Sequence, residues 1–249
     1  MASPVPHREP TATWPSGSLL KRLTQDSRDR LLGLGTLRRY RPREVLFHQG
    51  ARDSHVALLI RAVTKVTCTG PDGREALLAI RVSGDTVGEM AALNDHPRTA
   101  TVVTCGPAVV RIIQRRQFRA FLHTDSGAAL EFAGMVSDRL RSANRKRVDF
   151  AVYPTQVRVA RILDEMVLKY GRPTDSGIAI GVRLTQPEIA ALVGAADVTI
   201  QKALRALRAQ RLIQTGYGRI TVVDPYGLRA AARWQPWELT QRLEAQSSP

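Results

Sequence analysis

The sequence predicts an α+β fold in three parts: an antiparallel β jelly roll, one long helix and a C-terminal winged helix-turn-helix. Three observations carry this. Between Tyr40 and Ile113, short runs rich in Val, Ile, Leu and Thr alternate with turn residues, the texture of a β sandwich or jelly roll. From Ala128 to Tyr153 apolar residues recur three and four apart, the spacing of one helix face. Leu184–Leu212 then reads as helix, tight turn, helix, followed at once by a β-hairpin. A chain of 249 residues is long enough for two domains.

Residues 1–16 contain Pro4, Pro6, Pro10 and Pro15 and show no periodicity, so a disordered tail is expected. A β domain is expected over 17–126. Leu19, Leu20, Leu23, Leu31 and Leu32 sit among charges and suggest one or two short helices before it. Its strands are read at Glu44–Phe47, Val56–Ile60, Val63–Thr67, Ala76–Arg81, Val102–Val103 and Val109–Ile113, with a turn at Gly70-Pro71-Asp72-Gly73. A dimerisation helix is expected over 127–153. Ala129, Phe132, Val136, Leu140, Ala143, Arg147 and Phe150 form a seam with a mean spacing near that of a coiled coil, interrupted at Arg147. Arg139, Arg141, Arg145, Lys146 and Arg147 read as a solvated charged face. Pro154 ends that helix, since it cannot continue one without losing a hydrogen bond.

The third part is expected over 154–224. Gln156–Tyr170 is a helix with Val159, Leu163, Met166 and Val167 inward, Gly171–Gly177 a loop, and Ile178–Val182 a short strand. Thr185 and Glu188 form a capping box, Pro187 sits in the first turn, and Gly194 makes the turn between two helices. Ile189 and Val193 face Ile200, Leu204 and Leu207 across one apolar seam. The second helix has an opposite face of Asp197, Val198, Thr199, Gln201, Lys202, Arg205 and Arg208, side chains that reach base edges and phosphates. Strand, Gly216-Tyr217-Gly218 and a second strand through Arg219 make a wing, where Tyr217 and Arg219 add phosphate contacts. Residues 225–249, with Trp234 and Trp237, lie beyond this fold; a docking segment and a short helix over an apolar patch both remain open.

Composition agrees with a polyanionic partner, most simply double-stranded DNA: the net charge is +15 and the isoelectric point about 11.0. No apolar run approaches the ~20 residues of a membrane span, and no signal-peptide core opens the chain, so no membrane role and a cytoplasmic location are expected. Cys68 and Cys105 are too few for a disulfide framework or an iron–sulfur cluster. His7, His48, His55, His96 and His123 include no His-x-His pair. A metal site of the kind an enzyme on a β-barrel scaffold needs is therefore not expected, and neither is catalysis.

Inside the β region, Gly84 to Thr101 combines close backbone approach at Gly88 with a carboxylate, a guanidinium and a hydroxyl. Arg98 presents a fork for phosphate and Thr99 a donor; Gly88 precedes a short helical turn whose N–H groups suit an anion; Glu89 can accept from sugar hydroxyls. A surface Glu–Arg pair in a loop is the plain alternative.

The order of parts resembles the cyclic-AMP receptor protein/fumarate-nitrate regulator (Crp/Fnr) family. The resemblance rests on Gly84-Asp85, Val87-Gly88-Glu89-Met90, Pro97-Arg98-Thr99-Ala100-Thr101, Arg43–Gly50 and Leu184–Ala190 with the helix pair after it, and covers roughly residues 17–224. It implies a cyclic-nucleotide-binding-like β-roll, a homodimer through the long helix, a hinge at Pro154 and RNA polymerase as a partner. It also implies a cyclic nucleotide, cyclic AMP or cyclic GMP, held by Gly88, Glu89, Met90, Arg98, Thr99, Ala143 and Asn144. Three positions depart from the family's best-known member. Ala143 and Asn144 stand where that member has two polar residues on the adenine, and Ala143 has no hydrogen-bonding side chain. Asp197 stands where it has a guanine-reading Arg. The phosphate loop is one residue shorter. A sequence-specific, ligand-controlled transcription regulator is thus expected; the alternative is a DNA-binding regulator whose β-roll is structural or senses another signal.

Overall fold

The computed structural model describes residues 14–15, 17–216, 218–235 and 238. The expected tail before Trp14, and Tyr217 and Trp237, lie outside the described residues. Helices α1 (Leu19–Arg22) and α2 (Gln25–Gly33) lead into strands β1 (Thr36–Tyr40), β2 (Val45–Phe47), β3 (Val56–Arg61), β4 (Val63–Thr69), β5 (Glu75–Val82) and β6 (Thr86–Val87). Then come α3 (Glu89–Asn94), β7 (Thr101–Thr104), β8 (Ala108–Ile113), α4 (Arg115–Thr124) and α5 (Ser126–Val152). The C-terminal part is α6 (Thr155–Tyr170), β9 (Gly171–Thr174), β10 (Gly177–Ile180), α7 (Gln186–Val193), α8 (Asp197–Ala209), β11 (Ile213–Gly216), β12 (Arg219–Val222) and α9 (Pro225–Ala231).

Two antiparallel sheets, in the orders β1-β8-β3-β6 and β2-β7-β4-β5, face each other. Phe47, Ala57, Leu59, Val87, Val102 and Val110 fill the space between them. Two strands were not legible. β1 (TLRRY) is exposed along most of its length and carries two arginines, as an edge strand does. β6 is only two residues long, too short for alternation to register. The Gly171–Gly177 stretch, expected as a loop, is instead β9 and its turn into β10: Ile178 pairs with Pro173 and Ile180 with Gly171. Pro173 is tolerated because β9 is the edge of the sheet β11-β12-β10-β9.

The long helix starts where Asp125 accepts from the Ala128 amide, a side-chain cap, and ends at Tyr153 ahead of Pro154. Its first turns belong to the β-roll. Ala128, Phe132 and Met135 are buried with Leu19, Leu20, Leu31 and Phe118, and the Phe132 ring meets Phe118 edge-on at 5.4 Å. Phe132, expected in the dimer seam, is therefore a core residue of the single chain, because the helices before the roll and α4 close over that side of α5. Downstream, Val136, Leu140, Ala143, Arg147 and Phe150 are exposed.

The third core joins α6, α7, α8, the wing and α9. Leu163, Ile189, Ile200, Leu207, Val222 and Leu228 are its centre, and Leu77 and Ile80 of β5 extend it onto the roll. Residues after Asp224 thus complete this core: Leu228 and Ala232 are fully buried and Trp234 nearly so. No described helix is long and apolar enough to cross a membrane.

Candidate functional site

A cavity of about 1220 Å³ opens where the roll, α5 and α6 meet. Phe47, Gly88, Glu89, Met90, Arg98 and Thr99 line one end, and Ala143 lies on its α5 wall. Asn144 is exposed on the same helix and is not part of the wall. Gly88 adopts φ 83°, and a Cβ there would lie 2.5 Å from Arg98 Nη1 and 2.8 Å from the Phe47 ring. Only glycine fits that backbone and that crowding.

The structure places Arg98 differently from a free phosphate fork. Its guanidinium is buried and holds the roll together: Nε donates to Asp53 at 2.7 Å, Nη1 to the Gly88 carbonyl at 2.8 Å and Nη2 to the His55 carbonyl at 2.7 Å. The Phe47 ring lies 3.9 Å from the guanidinium carbon. Burial, with Arg98 opposing the pull of Asp53, lowers the His55 pKa. Three of the five N–H groups of Arg98 are thereby committed, which leaves two on a side chain that lines the cavity. Thr99 is exposed, its hydroxyl 3.9 Å from Met90 Sδ.

Glu89 is buried and half satisfied. Oε1 accepts from Arg139 Nη1 at 2.8 Å, while Oε2 is buried without a hydrogen-bond partner among the described residues. Arg139 also donates to the Thr86 carbonyl at 2.9 Å and to Asp85 at 3.3 Å. Burial alone would lower the Arg139 pKa; Glu89 and Asp85 outweigh it and raise it. Arg139, expected on a solvated charged face, is instead paired with Glu89 and Asp85 beside the cavity. Its position one turn before Ala143 was the signal that it shares the cavity side of α5.

The second candidate surface lies on the winged helix. The expected capping box of α7 forms: the Thr185 amide donates to Glu188 at 2.8 Å and the Glu188 amide to Thr185 at 3.4 Å. Gly194 ends α7 with φ 69°. Glu188 also pairs with Lys65 of β4, tying this helix to the roll. Burial raises the Glu188 pKa, but the Lys65 and Thr185 hydrogen bonds prevail and hold it below the usual carboxylate range.

Asp197, Val198, Thr199, Gln201, Lys202, Arg205 and Arg208 are all exposed on α8. The α8 N-cap is Ala196, which makes no side-chain hydrogen bond. Asp197, in the first turn, favours the helix through its charge at the positive end of the dipole. Gln186, Gln201, Arg205, Arg208 and Thr215 line a groove of about 280 Å³, and Arg208 donates to Thr215 on the wing at 3.0 Å. Arg219 is exposed on β12. Among the described residues no cluster of three or more His, Cys, Asp or Glu side chains is placed to hold a metal ion.

A cyclic nucleotide-binding domain model matches residues 37–125, and a Crp-like helix-turn-helix domain model matches 157–231. Among characterised proteins, the CRP-like cAMP-activated global transcriptional regulator of Mycobacterium tuberculosis is 27% identical over 188 residues, 76% of this chain and 84% of that protein. The cAMP-activated global transcriptional regulator Vfr of Pseudomonas aeruginosa is 26% identical over 189 residues, 74% of this chain and 88% of its own. In three dimensions the fold matches FixK2 from Bradyrhizobium japonicum with a TM-score of 0.70 at 19% identity, covering 81% of this chain and 99% of that one.

Proposed function

The chain belongs to the Crp/Fnr family of transcription regulators, and from that premise we propose that it is a homodimeric, sequence-specific DNA-binding regulator switched by a cyclic nucleotide in the β-roll. The observation that carries the ligand is the Glu89 carboxylate. A buried Oε2 without a partner on a cavity wall costs free energy unless a donor arrives, and a ribose hydroxyl is such a donor. Thr99 and the remaining N–H groups of Arg98 offer hydrogen bonds to a cyclic phosphate at the same end. Glu89 is in turn held by Arg139 of α5, so a ligand that pulls on Glu89 is felt by the helix leading to the hinge. The exposed face of α8 then reads the major groove, while Arg205, Arg208, Arg219 and Tyr217 hold phosphates. This reading assigns no catalysis or metal, places the protein in the cytoplasm and makes RNA polymerase its partner at promoters.

A second reading has specific support. Arg98 spends its fork largely on Asp53 and two carbonyls, and Ala143 gives a base nothing to bond. A roll that senses a different small molecule accounts for both. Calorimetry with cyclic AMP and cyclic GMP decides: heat that saturates, and that is lost in Glu89→Gln, supports the nucleotide. No heat from either at millimolar concentration rejects it in favour of the second reading. Selection from a random DNA pool tests the other half of the function, with a palindromic motif expected.

A further inference from the structure

We propose that the C-terminal segment carrying Trp234 and Glu238 is a positioning element for DNA recognition: it aims Arg161 at the long helix and so fixes the angle between α5 and α6. The proposal rests on the reading of the chain as a DNA binder that dimerises through α5.

The backbone alone does not set that angle. Pro154 is extended, with φ −63° and ψ 155°, and has no N–H to donate. The Tyr153 amide bonds the Asp149 carbonyl of α5, and the Val157 and Arg158 amides bond the carbonyl of Pro154 itself. Side chains therefore brace the junction. Two of these braces are weak: Arg158 lies 4.8 Å from the ring of Phe150, which is 62% exposed, and the Ser142 hydroxyl reaches Glu165 at 3.4 Å. The strong one is buried Arg161 of α6.

Arg161 has five N–H groups and uses all of them. One, on Nη1, goes to Asp149 of α5 at 2.8 Å. The rest go to the segment after α9: Nε to the Ala232 carbonyl at 2.9 Å, Nη2 to the Arg233 carbonyl at 3.0 Å, and Nη1 and Nη2 to the two oxygens of Glu238 at 3.0 Å each. A fork held bidentately has a fixed orientation, so Glu238 decides that the remaining N–H points at α5. Glu238 is itself placed by the Gln235 amide, which donates to its Oε2 at 2.8 Å. The Trp234 ring lies 4.2 Å from the guanidinium carbon, its indole donates to Asp164 of α6 at 2.7 Å, and Arg145 of α5 lies 5.9 Å from the ring. Tyr153, at the junction, is 4.1 Å from the same guanidinium. The matched helix-turn-helix domain ends at residue 231, so Trp234 and Glu238 lie beyond the shared fold.

α8 moves with α6, because Leu163 shares one core with Ile200 and Leu207. A dimer joined along α5 presents its two α8 helices at a spacing set by the α5–α6 angle, and that spacing has to match about one turn of the duplex. A braced junction pre-organises it and spares the cost of ordering on binding.

The test pairs hydrogen exchange with DNA binding in the full-length chain. Glu238→Ala leaves Asp149 on Arg161, and circular dichroism checks that the variant folds. Amides of 149–158 should exchange about tenfold faster or more, as for loss of charge-assisted contacts, while peptides of α8 and the roll stay within about twofold. Affinity for a palindromic duplex selected from a random pool should fall about tenfold, with binding to a duplex carrying a single half-site unchanged within about twofold. Glu238→Gln, which keeps one acceptor, should restore part of both. Unchanged exchange at 149–158 overturns the brace. A rise of equal size across α6, α8 and the wing also overturns it, because Glu238 then only stabilises the winged-helix core. Faster local exchange with an undiminished preference for the palindrome overturns the positioning role. A wild-type chain that sediments as a monomer or selects no palindrome overturns the dimeric reading, and the positioning role with it, whatever the exchange shows.

Discussion

Arg98 is a scaffold residue of the roll, and the proposed function asks its remaining N–H groups to meet a ligand as well. Its hydrogen bonds to Asp53 and to the Gly88 and His55 carbonyls fix the loop that carries Thr99. Arg98→Leu should therefore destabilise the chain by about 2–4 kcal/mol in chemical denaturation, because the two carbonyls and Asp53 lose a buried charged donor. Thr99→Val should leave stability within about 0.5 kcal/mol, since this hydroxyl is exposed, and weaken only nucleotide binding. If the two variants lose stability equally, Arg98 is not the structural member of the pair. From sequence, Arg98 and Glu89 stand out as candidates because Gly, carboxylate, guanidinium and hydroxyl fall within one short segment, and the structure brings both to one cavity. That the guanidinium turns inward was not legible, since Asp53 is 45 positions away and carries no pattern of its own.

At the scale of elements, contacts between parts were the least legible feature, because they depend on packing between segments with no shared periodicity. α7 meets the roll through Lys65 and Glu188, a pair that also carries the helix cap. Glu188 has a carboxyl pKa held below its ordinary value of 4.5. A depressed pKa contributes stability above the unfolded value, lost as pH falls through the folded one. Glu188→Gln keeps an acceptor for the Thr185 amide but removes the charge. Stability should then fall less steeply below about pH 4.5 than in the wild type, as followed by thermal melts; parallel acid limbs would show that the pair contributes nothing. The segment after α9 is the second such contact, and composition gave no means of assigning it. Buried Arg161 of α6 donates to Asp149 of α5 at 2.8 Å, to both oxygens of Glu238 at 3.0 Å, and to the Ala232 and Arg233 carbonyls. The rings of Tyr153 and Trp234 lie 4.1 and 4.2 Å from its guanidinium carbon, and Trp234 donates to Asp164 at 2.7 Å. Helices on both sides of Pro154 and the C-terminal segment thus share one cation. Truncation after Ala232 removes Glu238 and Trp234, so Arg161 loses one of its two carboxylates and a ring, and Asp164 loses its indole donor. A loss of roughly 3–5 kcal/mol is expected in urea denaturation. A truncated chain as stable as the full one would show that Asp149 alone satisfies Arg161.

Reading both halves of a two-fold DNA site takes two copies of α8, and the proposed dimer would supply them. The order of roll, long helix and winged helix was legible because each has its own period: strands alternate, the long helix repeats every three and four residues, and the helix pair breaks at a glycine. What periodicity could not separate was which part of the long helix serves the chain's own core. The first turns do, through Phe132 and Met135. Beyond them Leu140 is 62% exposed and Phe150 62%, with Val136 and Ala143 on the same stripe. A fully buried Leu or Phe is worth about 1.5–3 kcal/mol over an exposed one, so a second α5 laid against this stripe recovers several such terms. Two-fold symmetry would then set two α8 helices to face half-sites about one turn of DNA apart. Leu140→Arg places a charge at the centre of that seam without touching either core. Sedimentation should show wild-type dimers and mutant monomers, with each domain's circular dichroism intact. The monomer should keep weak, strongly salt-dependent affinity for any duplex, because the net charge of +15 and the exposed Arg205, Arg208 and Arg219 act on phosphates whatever the sequence. Its preference for a palindrome should vanish, since one α8 reads only one half-site. A variant that stays dimeric would move the interface off α5, and a monomer that still selects the full palindrome would remove the need for a dimer in recognition.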